Sequence, residues 1–167
     1  FDVGPAPAAH APSVTSKGLT SQITGSRADL IIADDAESLT NSATQMMRDK
    51  MSEQVKEFDA VLKPGGAILY LGTPQTEASI YNQLPERGYE IRIWPARMPT
   101  EKQRLGYGKR LAPMIVGMDL EEGEPVDPKR FNTYDLLERE ASYGKSGFAL
   151  QFMLDTSLSD VDRYPLK

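Results

Sequence analysis

ADLIIADDAE, residues 28–37, decides the reading of this chain. The apolar run over 28–33 is bounded by turn signals, which predicts a strand buried on both faces. It ends in two adjacent carboxylates, Asp34 and Asp35, with Glu37 close behind. Downstream, Met47, Met51, Val55, Phe58 and Leu62 recur at helical spacing. That spacing predicts a helix over 41–62, capped by Asn41 or Ser42. Lys63-Pro64-Gly65-Gly66 stops it. AILYLG, residues 67–72, predicts a second buried strand, 76–86 a short helix, and Tyr89 to Trp94 a third strand. Strand, helix, strand, helix, strand is the α/β pattern: a mostly parallel sheet with flanking helices.

The flanks are plainer. Residues 1–13 are rich in Pro and Ala and predict loop. The β-branched residues around Lys17-Gly18 predict a short hairpin or strand closed by Gly25. After Pro95 the pattern loosens into a segment bearing Lys102, Arg104, Lys109 and Arg110, then an acidic loop over 119–128. A helix is expected from near Asn132, with Asp135 reaching back to the cap, ending at Gly144. Residues 147–154 are apolar enough to dock, and 155–167 read as a linker. Phe1 in place of an initiator Met, with no start signal for a first element, reads as an internal segment of something longer.

Composition narrows the chemistry. There is no Cys, so neither a disulfide framework nor a thiolate metal site exists. His10 is the only histidine and lies in the Pro/Ala-rich opening, which excludes a histidine cluster. Carboxylate chemistry remains, and it suits hard cations such as Mg²⁺. A net charge of −5 argues against wholesale electrostatic binding of nucleic acid, though not against a local basic patch. No apolar run approaches membrane-spanning length, and no signal peptide is visible.

An acid at the C-terminal end of a sheet strand faces the crevice where α/β folds bind ligands. In P-loop ATPases such an acid holds Mg²⁺, and a second acid orients the attacking water. Asp34 fits the first role; Asp35 and Glu37 both fit the second. The plain alternative is a strand ending in a polar turn, with Asp there for local hydrogen bonds. Leu71-Gly72-Thr73-Pro74-Gln75 ends the second strand, so Thr73 and Gln75 are expected at the same sheet edge, in reach of a γ-phosphate. The alternative there is a turn with Thr73 capping the next helix and Pro74 at its first position. Gly144-Lys145-Ser146 imitates a phosphate loop. However, Arg139 stands where that motif needs Gly, and a helix precedes it instead of a strand. Lys102, Arg104, Lys109 and Arg110 around Tyr107 form a basic patch suited to DNA phosphates or a neighbouring subunit's nucleotide, or else a solvated face. Arg27 is either structural or paired with the acids.

Two family resemblances follow from these blocks. LKPGG at 62–66 after an acidic strand end resembles class I S-adenosylmethionine methyltransferases, although the upstream Gly-rich loop of that family is missing. The other resemblance covers essentially the whole chain: FDVGPA (1–6), TGSRADLIIADDAE (24–37), NSAT (41–44), YLGTPQTE (70–77), IWPA (93–96), RLAP (110–113), YGKSGFALQFML (143–154) and LSDVDRYPL (158–166). These resemble the large terminase subunit of podovirus-type tailed phages. That resemblance implies a partial P-loop NTPase fold over 1–154 and a linker over 155–167 toward a nuclease domain. It implies ATP and Mg²⁺, with LIIADD as Walker B, Asp34 as the metal acid, and Asp35 or Glu37 as the catalytic acid. Asp35 is a departure, because many family members carry Glu there. LGTPQ becomes the coupling motif, with Thr73 and Gln75 on the nucleotide side. The implied partners are double-stranded DNA, the small terminase subunit, the portal and procapsid, and further copies in a ring, in the cytoplasm of an infected bacterium. Walker A is expected upstream of Phe1 and the nuclease acids downstream of Lys167, so the chain alone is expected to hydrolyse ATP poorly. A non-enzymatic DNA-binding or assembly module, and a silent fragment with exposed sheet edges, are the further alternatives.

Overall fold

A computed structural model describes residues 1, 2, 4, 12–21, 23, 25–38 and 40–157. Strand β1 (Ala28–Asp34) pairs in parallel with β2 (Leu62–Leu71), and helix α1 (Gln45–Val61) makes the crossover between them. Then come α2 (Ile80–Gln83) with a 3₁₀ turn at Leu84–Arg87, α3 (Glu101–Tyr107) with a 3₁₀ turn at Gly108–Arg110, α4 (Pro113–Val116) and α5 (Thr133–Gln151). The α/β class holds, with a parallel sheet of two strands among the described residues.

Met51, Val55 and Phe58 line one face of α1 and are buried, as the helical spacing predicts; Met47 is exposed, and Val61 is buried there in place of the expected Leu62, which opens β2 half-buried. Full burial of such a side chain contributes roughly 1.5–3 kcal/mol, so this face alone fixes α1 on the sheet. The cap is Thr44, whose hydroxyl accepts from the Met47 N–H. Asn41 and Ser42 are occupied elsewhere: Asn41 Nδ2 donates to the Ala36 carbonyl and Ser42 Oγ to that of Ser38. The helix ends at Val61, and Lys63–Gly66 fall where the register shifts between Ala28↔Leu62 and Leu30↔Ala67. Gly66 is needed there, because a Cβ would lie 2.8 Å from the Asp29 carbonyl oxygen.

Three strand expectations need correction. β1 and β2 are covered on one face only: Ala33 is buried on the α1 side, with Ile31, Ile68 and Tyr70 packed around the same cluster. Leu30, Ile32, Leu69 and Leu71 on the other face are 44–56% exposed. Tyr89–Trp94 forms no strand, although its side chains alternate inward and outward as a strand's do. Its backbone makes one bridge, Ile93 with Leu111, through Ile93 N–H to Arg110 O and Ala112 N–H to Ile93 O. Neither a hairpin nor a strand forms among the described residues of 14–24.

The second half packs around two further clusters. Ile93, Met98, Tyr107, Leu111, Ala112 and Ile115 form one. Leu136, Phe148 and Met153 form the other, so the expected docking of 147–154 is observed. Asn132 caps α5 in a capping box with Asp135. Gly144 then breaks α5 with φ 70° and ψ 171°, a conformation essentially reserved for glycine. The Gly-Lys-Ser run is thus a helix break. Arg97 ties the middle of the chain to α5: it pairs with Glu140 at 2.6 Å and lies 4.6 Å from the Phe148 ring centroid. Residues 158–167, most of the expected linker, lie outside the described residues. Among the described residues no helix is long and apolar enough to cross a membrane.

Candidate functional site

The parallel register decides what meets at the sheet edge. Asp34 is opposite Leu71, and the Asp35 N–H donates to the Leu71 carbonyl at 2.9 Å. The two acids therefore sit beside Gly72 and Thr73, as the order of strands predicts. Asp34 and Asp35 are both exposed. Asp35 has φ 47°, a left-handed conformation that Asp tolerates better than most residues. It ends the strand and redirects the chain.

That turn separates the third acid from the first two. Glu37 is only 3% exposed. Its Oε1 accepts the Gln75 N–H at 2.9 Å, and its Oε2 accepts the Ser79 hydroxyl at 2.9 Å and the Ile80 N–H at 2.8 Å. Ser79 is fully buried and also caps α2, accepting from the Tyr81 N–H. Thr73 is half-buried, Gln75 is 7% exposed, and the Gln75 side chain folds back so that Nε2 donates to the Thr73 carbonyl. The helix that follows is capped by Ser79, not Thr73.

Tyr81 closes the edge. Its hydroxyl donates to the Leu71 carbonyl and accepts the Glu37 N–H, each at 3.3 Å. Burial pushes its phenol up from the usual tyrosine range; the Glu37 and Asp35 charges push the same way, partly offset by the hydrogen bond from the Glu37 backbone. Sequence reasoning did not single out Tyr81, Ser79 or Gly72 in these roles. The only local signal was glycine at a strand end.

Beyond this edge lies a cleft of about 680 Å³, with Gly72, Pro74, Tyr81, Tyr89, Lys102 and Arg110 among its lining residues. The expected basic patch is only partly available. Arg104 Nε donates to the Pro99 carbonyl, and Arg110 to the carbonyls of Tyr107 and Gly106 and to Asn82. Tyr107 is buried, with its hydroxyl on the Met153 carbonyl, so it offers no face for stacking. Lys102 and Lys109 are exposed. Arg27 donates to the Ser26 carbonyl.

Among the described residues no group of three or more acids converges as an all-protein metal cage. The donor set still fits Mg²⁺. That ion keeps several waters and takes one or two carboxylates plus substrate phosphates, and Asp34 and Asp35 present hard oxygen donors to solvent.

No protein-family model matches the chain. A curated relative does: over its whole length the chain is 53% identical to the "Terminase, large subunit" of Enterobacteria phage T3, and it spans 30% of that protein's length. Identity of that order, sustained from end to end, makes the chain similar throughout to a fragment of a phage large terminase subunit.

Proposed function

We propose that residues 1–154 are the part of a DNA-packaging ATPase that carries the Walker B acids and the coupling loop, within a P-loop NTPase fold, and that 155–167 lead toward a nuclease domain. One observation supports this reading most directly: the Asp34↔Leu71 register brings the end of β1, with its two exposed acids, to the start of the 72–75 loop, in a chain alike throughout to a large terminase subunit. Asp34 would hold Mg²⁺, which when bound neutralises charge on the nucleotide phosphates. Asp35, exposed beside it, is the better placed second acid, because the Glu37 carboxylate is buried and already accepts three hydrogen bonds. Thr73 and Gln75 belong to the loop that carries the hydrolytic signal away. The intact protein would work on double-stranded DNA in the cytoplasm of an infected bacterium, as a ring of copies with the small terminase subunit and the portal.

The test uses a full-length large subunit carrying this segment. Asp34→Ala should lower Mg²⁺-dependent ATP turnover by about 100-fold or more, with the circular dichroism spectrum unchanged. The 167-residue chain alone should show no turnover above background. Turnover in Asp34→Ala within about twofold of the parent would sink the assignment. DNA binding that falls with salt, survives Asp34→Ala and comes with no hydrolysis in the parent would favour a non-enzymatic module instead.

A further inference from the structure

We infer that Glu37 is a positioning residue: with Tyr81 it latches the 72–80 loop to the acid-bearing end of β1, so that the loop and Asp34–Asp35 move as one body. The functional consequence rests on the ATPase reading; the latch itself does not.

The Leu71 carbonyl is the node. It receives the Asp35 N–H from one side and the Tyr81 hydroxyl from the other. The Tyr81 hydroxyl in turn accepts the Glu37 N–H, and the Glu37 carboxylate grips Gln75, Ser79 and Ile80. A closed circuit therefore runs from the acids through β2 and α2 and back to the residue two positions after Asp35. Hydrogen bonds to an ionised acceptor are the strong kind, and this carboxylate accepts three, two from backbone and one from a fully buried hydroxyl. A general base must reach a water and take its proton. Glu37 is buried and faces donors, so its chemistry is that of a clamp.

The loop it holds is not fully satisfied. Among the described residues, Gln75 Oε1 and Thr76 Oγ1 are buried with no hydrogen-bond partner. Each orphan opposes the present loop arrangement, and the bonds to Glu37 outweigh them. Releasing the carboxylate thus frees the loop to rearrange, whereas an intact latch makes it follow the strand end.

Amide hydrogen exchange of the 167-residue chain, followed by NMR, tests the latch. Glu37→Gln replaces one acceptor oxygen with a group that only donates. It should speed exchange at Gln75 or Ile80 by about tenfold or more, while Val55 and Phe58 in α1 stay within about twofold. Tyr81→Phe keeps the ring and should speed exchange at Glu37. Unchanged exchange at both Gln75 and Ile80 in folded Glu37→Gln overturns the latch. If Glu37→Gln does not fold, unchanged exchange at Glu37 in Tyr81→Phe overturns it. In a full-length large subunit, both variants should lower kcat and keep the limbs of the pH–rate profile. Loss of the acid limb in Glu37→Gln alone, with Tyr81→Phe unaffected, would make Glu37 the base and refute the positioning role. A parent without turnover would instead defeat the ATPase reading, leaving the exchange result to stand by itself.

Discussion

Gly72→Ala should destabilise the chain by forcing Tyr81 out of its place at the sheet edge. A Cβ at position 72 would lie 2.0 Å from the Tyr81 hydroxyl oxygen, 2.5 Å from Cζ and 3.0 Å from Cε2. No real contact survives at those distances, so the phenol must leave. It then gives up its bonds to the Leu71 carbonyl and the Glu37 N–H, both long at 3.3 Å, worth together about 1–2 kcal/mol. Overpacking adds about 1–3 kcal/mol where neighbours cannot yield. Tyr81 lines the cleft, so its ring has an escape, and a total of about 2–4 kcal/mol follows. Urea unfolding of Gly72→Ala, Tyr81→Ala and the double variant measures both the cost and its origin. Because the two changes abolish the same contacts, the double variant should lose about 1–3 kcal/mol less than the two single losses combined. Additivity within about 0.5 kcal/mol, or a Gly72→Ala chain as stable as the parent, would refute the claim that Gly72 exists to seat Tyr81.

Two further outcomes follow from burial. The Tyr107 phenol is pushed well above the usual tyrosine range, first by burial and then by the Asp155 charge, with Arg110 opposing; its contribution is complete below the unfolded value of about 10 and is lost as pH climbs from there toward the raised folded value. Stability measured against pH should therefore fall above about pH 10, and less steeply in Tyr107→Phe. On the open sheet face, Ile32 is 55% exposed, so Ile32→Lys should change stability by no more than about 0.5 kcal/mol while reducing self-association in analytical ultracentrifugation; a loss of several kcal/mol would mean that this face is covered within the chain.

The parts of the fold legible in the sequence are those governed by local period and local caps. The α1 core positions, the Asn132–Asp135 box and the break at Gly144 all depend on residues within a few positions of one another. The α1 cap moved because Asn41 and Ser42 close the 36–42 turn with their side chains, leaving Thr44 as the first free acceptor. Tyr89–Trp94 has the alternation of a strand, but alternation cannot specify a partner. Here the partner is the end of a 3₁₀ turn. The start of α3 was readable, since Thr100 and Gln103 form a capping box, yet the charged residues around it suggested a patch instead. Burial of β1 on both faces was inferred from apolar content, which says that a strand can be covered and not that a cover is at hand.

The acids show where sequence logic ends most clearly. Asp34, Asp35 and Glu37 are one cluster in the sequence and two sites in space. Strand alternation sends Ala33 inward and Asp34 outward. The positive φ at Asp35 then breaks the alternation, so that Asp35 stays exposed where alternation would turn it inward, while Glu37 two residues on is buried. Nothing within ADLIIADDAE reveals this, because the donors that hold Glu37 lie 38 to 43 residues away, at Gln75, Ser79 and Ile80. Along the chain Asp35 is the adjacent acid and Glu37 the longer one, and the sequence leaves both open for the second role. Reach in space leaves Asp34 and Asp35 exposed at the sheet edge, and uses the longer side chain to span from β1 to the 72–80 loop. An aspartate at position 37 would be one methylene short of that span, which is a physical reason for the glutamate that makes no appeal to catalysis.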